Sequence, residues 1–159
     1  MKARIDLRHV TPGIIQAMLG LERQVHAAGL DRGLLDLVRM RASQINGCAY
    51  CLDMHGKDAR ANGETEQRLY GLNAWRETPY YSARERAALE WTEALTLVSE
   101  THAPDEVYER VREQFPENEL VHLTLAIVSI NGWNRLNIAA QTVPGGYVAG
   151  SLATLHAAS

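Results

Sequence analysis

The sequence predicts an all-α domain on three observations. Apolar residues recur at three- and four-residue spacing, helix start and stop signals bracket each such segment, and no alternating run bounded by turn residues competes with them. The first segment opens on Thr11 and Pro12, an N-cap and first-turn pair, runs through Ile14, Ile15, Met18, Leu19, Leu21 and Val25, and stops at Gly29. A second, over 32–45, repeats Leu34, Leu35, Val38 and Ile45 and ends at Asn46-Gly47. A third begins at or near Cys48 and runs to Asn62-Gly63, and a fourth covers 65–76. After a connection through ETPYYS, Ser82 and Glu85 fit a capping box opening a helix through Leu89, Ala94, Leu95 and Val98. The segment 103–115 carries Pro104 in its first turn and Asp105 and Glu106 where the helix dipole favours acids. The last, 117–140, is apolar nearly all round between Leu123 and Ile130 and is expected to be the buried central helix.

No repeat or low-complexity tract interrupts this series, so residues 1–140 are expected to form one domain, with 141–159, which contain Pro144-Gly145-Gly146, as a C-terminal tail or arm. A length of 159 residues suits one domain with a sizeable core. Sixteen basic residues against nineteen acidic ones, with 6% aromatics, argue against nucleic acid as partner, because a polyanion needs a concentrated basic face. MKARIDLRHV lacks the apolar run of a signal peptide, and LTLAIVSI is too short to cross a bilayer, so a cytoplasmic protein with no membrane partner is expected.

The chemistry concentrates in one window. The two cysteines of the chain are Cys48 and Cys51, with His55 four residues on. On a helix, Cys48 and Cys51 lie about 60° apart and Cys51 and His55 about 40°, so all three share a face. An imidazole one turn on can take the thiol proton, while the helix start favours a thiolate at Cys48, so either sulfur could attack and the other resolve. A thioredoxin-type CxxC follows a strand, and no strand is predicted before Cys48. Two other readings stand beside a dithiol cycle: inert buried thiols, and a structural zinc site, for which Cys48, Cys51 and His55 lack the usual second pair of ligands.

The run Asp36-Leu-Val-Arg-Met-Arg-Ala-Ser-Gln-Ile-Asn-Gly-Cys48-Ala-Tyr-Cys51-Leu-Asp-Met-His55 resembles the core motif of the AhpD-like alkylhydroperoxidases, within the carboxymuconolactone decarboxylase superfamily. The resemblance covers residues 33–60 closely and extends more loosely to about 140, through Glu90-Trp91-Thr92-Glu93-Ala94 and Asn131-Gly132-Trp133-Asn134-Arg135. It implies an AhpD-like helical domain that oligomerises through helix faces as a homo-trimer or hexamer. It also implies reduction of small organic hydroperoxides, with a lipoyl protein or thioredoxin-like dithiol as reductant and no cofactor or metal. By the same resemblance Cys51 is the attacking thiol, Cys48 the resolving thiol and His55 the proton acceptor. The relay glutamate of the family falls on Asp36, whose carboxylate reaches about 1.5 Å less far and can use a bridging water. Tyr50 stands where well-known members carry histidine, and a phenol is no base near neutrality. A proton path in addition to charge compensation favours Cys51 over Cys48 as nucleophile. The alternatives are a decarboxylase of a small lactone acid, whose members generally lack CxxC, and a non-catalytic redox-sensing or zinc-binding protein.

Among the remaining residues, His9, His26, His102, His122 and His156 make no ligand spacing, and His122 is the one to check near the site. Arg39 and Arg41 either raise local positive potential or occupy a solvated helix face. Trp91 and Trp133 read as packing or subunit contacts, and Tyr50 as a packing residue that could also orient a substrate. Asn131, Asn134 and Arg135 interrupt an apolar helix and must find partners, as a pocket wall or an oligomer seam.

Overall fold

Caps and turns set the helix boundaries. The computed structural model describes residues 1–10 and 12–151, and its described residues hold helices without strands. A short α1 (Leu7–Val10) precedes α2 (Pro12–Ala27), so Pro12 opens the helix as expected, while the Thr11 cap and His156 lie outside the described residues. Asp31 caps α3 (Arg32–Asn46) by accepting the Leu34 N–H at 2.8 Å, and Gly47 ends it in the left-handed region at φ 67°. Cys48 caps α4 (Ala49–Ala61). Thr65 caps α5 (Glu66–Gly71), which tightens into a 3-10 turn over Leu72–Glu77 and so replaces the single predicted helix over 65–76.

The Ser82–Glu85 capping box forms in full at the start of α6 (Ala83–Thr96). The predicted continuation to Val98 breaks at Leu97, because the Thr101 hydroxyl donates to the Ala94 carbonyl at 2.7 Å, the acceptor a continuing helix would give to the Val98 N–H. A short α7 (Val98–Thr101) follows. His102 and Ala103 both adopt positive φ, so α8 (Asp105–Arg112) starts later than predicted, with Pro104 in the capping position. The long α9 (Glu117–Ala140) has the predicted bounds.

The buried central helix is α3, which packs on α4, α6 and α9, and this corrects the expectation placed on α9. Its Leu34, Leu35 and Val38 feed one core cluster with Trp91, Phe115, Leu123 and Ile127, and its Leu37 and Met40 feed a second with Leu72, Trp75 and Leu89. Apolar burial on both sides leaves one remaining strip of α3 for Asp36 and Arg39. Helix α9 is only half covered: Val121 is 62% and Val128 54% exposed, because seven residues return to the same face of a helix and no other element among the described residues covers it. The interrupting asparagines do find partners. Asn46 donates to Asn131 at 3.0 Å and to Asn134 at 2.8 Å, and Asn134 donates to Ser43 at 3.1 Å, which pins the end of α3 to α9. Among the described residues no helix is long and apolar enough to cross a membrane.

Candidate active site

Gly47 permits the sharp turn that sets α4 against α3, and the turn places both cysteines at the start of α4. Cys48 and Cys51 are joined in a disulfide, with Cα atoms 5.3 Å apart. Both are buried, and they differ in what they border. Cys48 is the N-cap, its sulfur accepting the Cys51 N–H at 3.4 Å, and it does not face open space. Cys51 lines a cavity of about 850 Å³. Asp36 and His55 line the same cavity, so the structure brings three of the four predicted site residues to one surface, with the fourth bonded to one of them. Tyr50 and Trp133 also face it. His122 does not: it sits near the opposite end of α9, about 20 Å along the helix from Asn137.

Glu22, Arg39 and Asn137 add further polar groups to the cavity wall. Glu22, 8% exposed on α2, accepts from Arg39 Nη2 at 2.9 Å and from the Ser129 hydroxyl at 2.6 Å. Arg39 is therefore no surface charge but a buried one, ion-paired in the wall of the cavity that Cys51 lines. Glu22 belongs to no motif. The readable signal was an acid inside the apolar stripe Leu19, Glu22, Val25 of an amphipathic helix. Asn137, two turns beyond the asparagine pair, places its amide 3.8 Å from Cys51 Sγ.

The two carboxylates are pushed in opposite directions. Burial raises the Asp36 carboxyl above its ordinary range, and the 2.6 Å hydrogen bond from Asn62 with the charges of Arg39 and Arg32 offsets this only in part. Burial also acts to raise Glu22, but the Arg39 charge and the Ser129 hydrogen bond outweigh it and hold the group below its ordinary range. Burial first and Arg39 second drive His55 down to about 3, with Glu22 opposing them, so its imidazole is neutral near pH 7. Carboxylates separated in this way divide into one that exchanges protons and one that stays charged.

Apolar groups, among them Ile5, Leu19, Met54, Trp133 and Val148, wall the rest of the cavity. Residues from 3–7 and from 142–151 also line it. Arg4 N–H donates to the Ala140 carbonyl at 2.8 Å, and residues 142–151 run as an irregular arm along α4. Asp53 accepts the Gly145 N–H at 3.0 Å, and Asp58 accepts the Tyr147 hydroxyl at 2.9 Å and the Gly150 N–H at 3.0 Å. Among the described residues no group of three or more His, Cys, Asp or Glu side chains could hold a metal ion.

The sequence matches the model of the carboxymuconolactone decarboxylase family over residues 12–94, which span α2 to α6 and the whole dithiol motif. The chain belongs to this family, as an AhpD-like member. Among its relatives is the uncharacterized protein YdfG of Bacillus subtilis, 45% identical over 139 residues, covering 87% of this chain and 95% of that protein. A solved structure from Agrobacterium tumefaciens, ATU0492, described as a protein of unknown function and a candidate antioxidant defence protein AhpD, is 40% identical. It superposes with a TM-score of 0.89 over 92% of this chain and all of the other. The debrominase Bmp8 shares the fold at 20% identity and a TM-score of 0.74, covering 86% of this chain and 73% of its own.

Proposed function

We propose that this family member is a thiol-dependent peroxidase that reduces organic hydroperoxides through a Cys48–Cys51 dithiol/disulfide cycle. The observation that carries the reading is a CxxC disulfide of which one sulfur alone, that of Cys51, borders a largely apolar cavity with polar, proton-handling groups in its wall. In the proposed cycle the Cys51 thiolate attacks the terminal peroxide oxygen, the O–O bond breaks, and the alkoxide leaves as an alcohol after taking a proton. Cys51 becomes a sulfenic acid, and Cys48 condenses with it to the disulfide, releasing water. A dithiol donor, a lipoyl or thioredoxin-like protein, then returns two electrons and two protons. His55, neutral at rest, accepts the thiol proton on its unprotonated ring nitrogen and passes it on, and Asp36, its affinity for a proton raised by burial, stores it. A lactone decarboxylase would have no use for the dithiol. Self-association through the Val121 and Val128 stripe of α9 belongs to the same proposal.

Asp36 provides the test of the relay. Asp36→Asn keeps an acceptor for Asn62 but cannot hold an exchangeable proton, and turnover of cumene hydroperoxide is expected to fall about 100-fold. Asp36→Glu is expected to stay within about tenfold of the parent or exceed it, since it keeps a titratable carboxyl in the cavity that His55 also lines. Steady-state rates with a dithiol reductant measure both. Equal loss in the two variants, with folding intact, would remove Asp36 from the relay.

A further inference from the structure

We propose that Arg39, clamped by Glu22 across α2 and α3, is the fixed cation that sets the ionisation of Cys51, with Glu22 as its opposing counter-charge. This rests on Cys51 being the reactive thiol of the proposed cycle. The thiolate needs a positive neighbour, and of the two arginines that line its cavity, Arg32 and Arg39, Arg32 is exposed to solvent and Arg39 is buried. Arg39 is 7% exposed, borders the same cavity as Cys51, and is always charged. His55 does not fill the role, because burial first and the Arg39 charge second hold its imidazole neutral near pH 7. The start of α4 offers amide dipoles, but Cys48 caps it and already takes the Cys51 N–H. Arg41 is engaged elsewhere, with its Nε 2.8 Å from Glu93.

The clamp itself is more elaborate than packing requires. Glu22 spends one oxygen on Arg39 and the other on Ser129, so the carboxylate is fixed from α3 and α9 at once. A buried ion pair adds little to stability over an apolar pair, so its presence in the wall of the cavity that Cys51 lines points to a use. A pair of opposite charges near one thiol has a signature that a structural pair lacks. Removing each member must move the thiol in opposite directions.

The experiment uses the Cys48→Ser background, in which serine keeps the N-cap and leaves Cys51 as the single thiol. The apparent pKa of Cys51 is read from the pH dependence of its alkylation by iodoacetamide, with no peroxide present. Arg39→Met is expected to raise that pKa by about one unit, and Glu22→Gln, which keeps a partner for Ser129, to lower it by about half a unit or more. Shifts of the same sign, or none in either variant, would overturn the proposal. Should Arg39→Met fail to fold, Glu22→Gln decides alone: a lower value supports the proposal, and an unchanged or higher one refutes it. Opposite shifts in a protein inert toward hydroperoxides would sink the peroxidase reading and leave this one standing.

Discussion

Replacing Cys51 with serine is expected to abolish hydroperoxide reduction, with a loss of at least about 10³-fold, while replacing Cys48 with serine traps the protein one step later. The asymmetry follows from where the two sulfurs lie. A peroxide entering the cavity meets Cys51, whereas Cys48 sits behind it as the cap of α4. In Cys48→Ser, Cys51 still attacks, and with no second thiol to condense the sulfenic acid accumulates. A dimedone adduct on Cys51, located by peptide mass spectrometry after one equivalent of cumene hydroperoxide, checks this. Accumulation on Cys48 in the Cys51→Ser protein would reverse the roles. Neither substitution should disturb the fold much, since serine caps helices well and differs from cysteine by one atom.

A second large effect is expected far from the sulfurs. Glu93 of α6 accepts from Arg41 Nε at 2.8 Å and from Trp75 Nε1 at 2.9 Å, and it also takes a hydrogen bond from Arg76. One carboxylate thereby joins α3, the 3-10 turn and α6. Glu93→Ala leaves the Arg41 guanidinium largely buried without its counter-ion and strands the indole N–H, at a cost of about 3 kcal/mol. For a domain of this size that lowers the melting temperature by about 10 °C. The deficit is also pH-dependent. Burial alone would raise the Glu93 carboxyl, but hydrogen bonds from Arg76, Trp75 and Arg41 reverse this and hold it below 4.5. Its contribution is therefore present above that pH and is lost as pH falls through the folded-state value. Thermal melts of the two proteins should differ most near neutrality and converge in acid. A constant gap would mean that Glu93 acts by packing instead of charge.

How much of this was readable beforehand depends on distance along the chain. Asp36, Cys48, Cys51 and His55 lie within twenty residues of each other, so helix geometry alone placed the last three on one face, and the structure sets Asp36 in the cavity beside Cys51 and His55. Caps were legible for the same reason: Ser82 and Glu85 are neighbours, and their box forms. Glu22 was not legible, since its partners Arg39 and Ser129 are 17 and 107 residues away and nothing local distinguishes it from a surface acid except its place in an apolar stripe. The place of Arg39 is not legible either, because burial on α3 depends on which strip two core clusters leave uncovered. The apolar middle of α9 misled for a related reason. Periodicity reports how much apolar surface a helix has, and only tertiary packing decides how much is covered within one chain. Pro144-Gly145-Gly146 marks the end of helical periodicity in the sequence, yet the attachment of Gly145 and Gly150 to Asp53 and Asp58 of α4 depends on backbone amides that leave no trace there.

The central claim is that the two sulfurs cycle electrons to a hydroperoxide, and intact-mass spectrometry of the reduced protein after one equivalent of cumene hydroperoxide tests it most directly. The account predicts a single product lighter by two hydrogens, with both free thiols lost together and recovered by a dithiol. An unchanged mass with both thiols still free, under conditions where the peroxide is intact at the start, would contradict it.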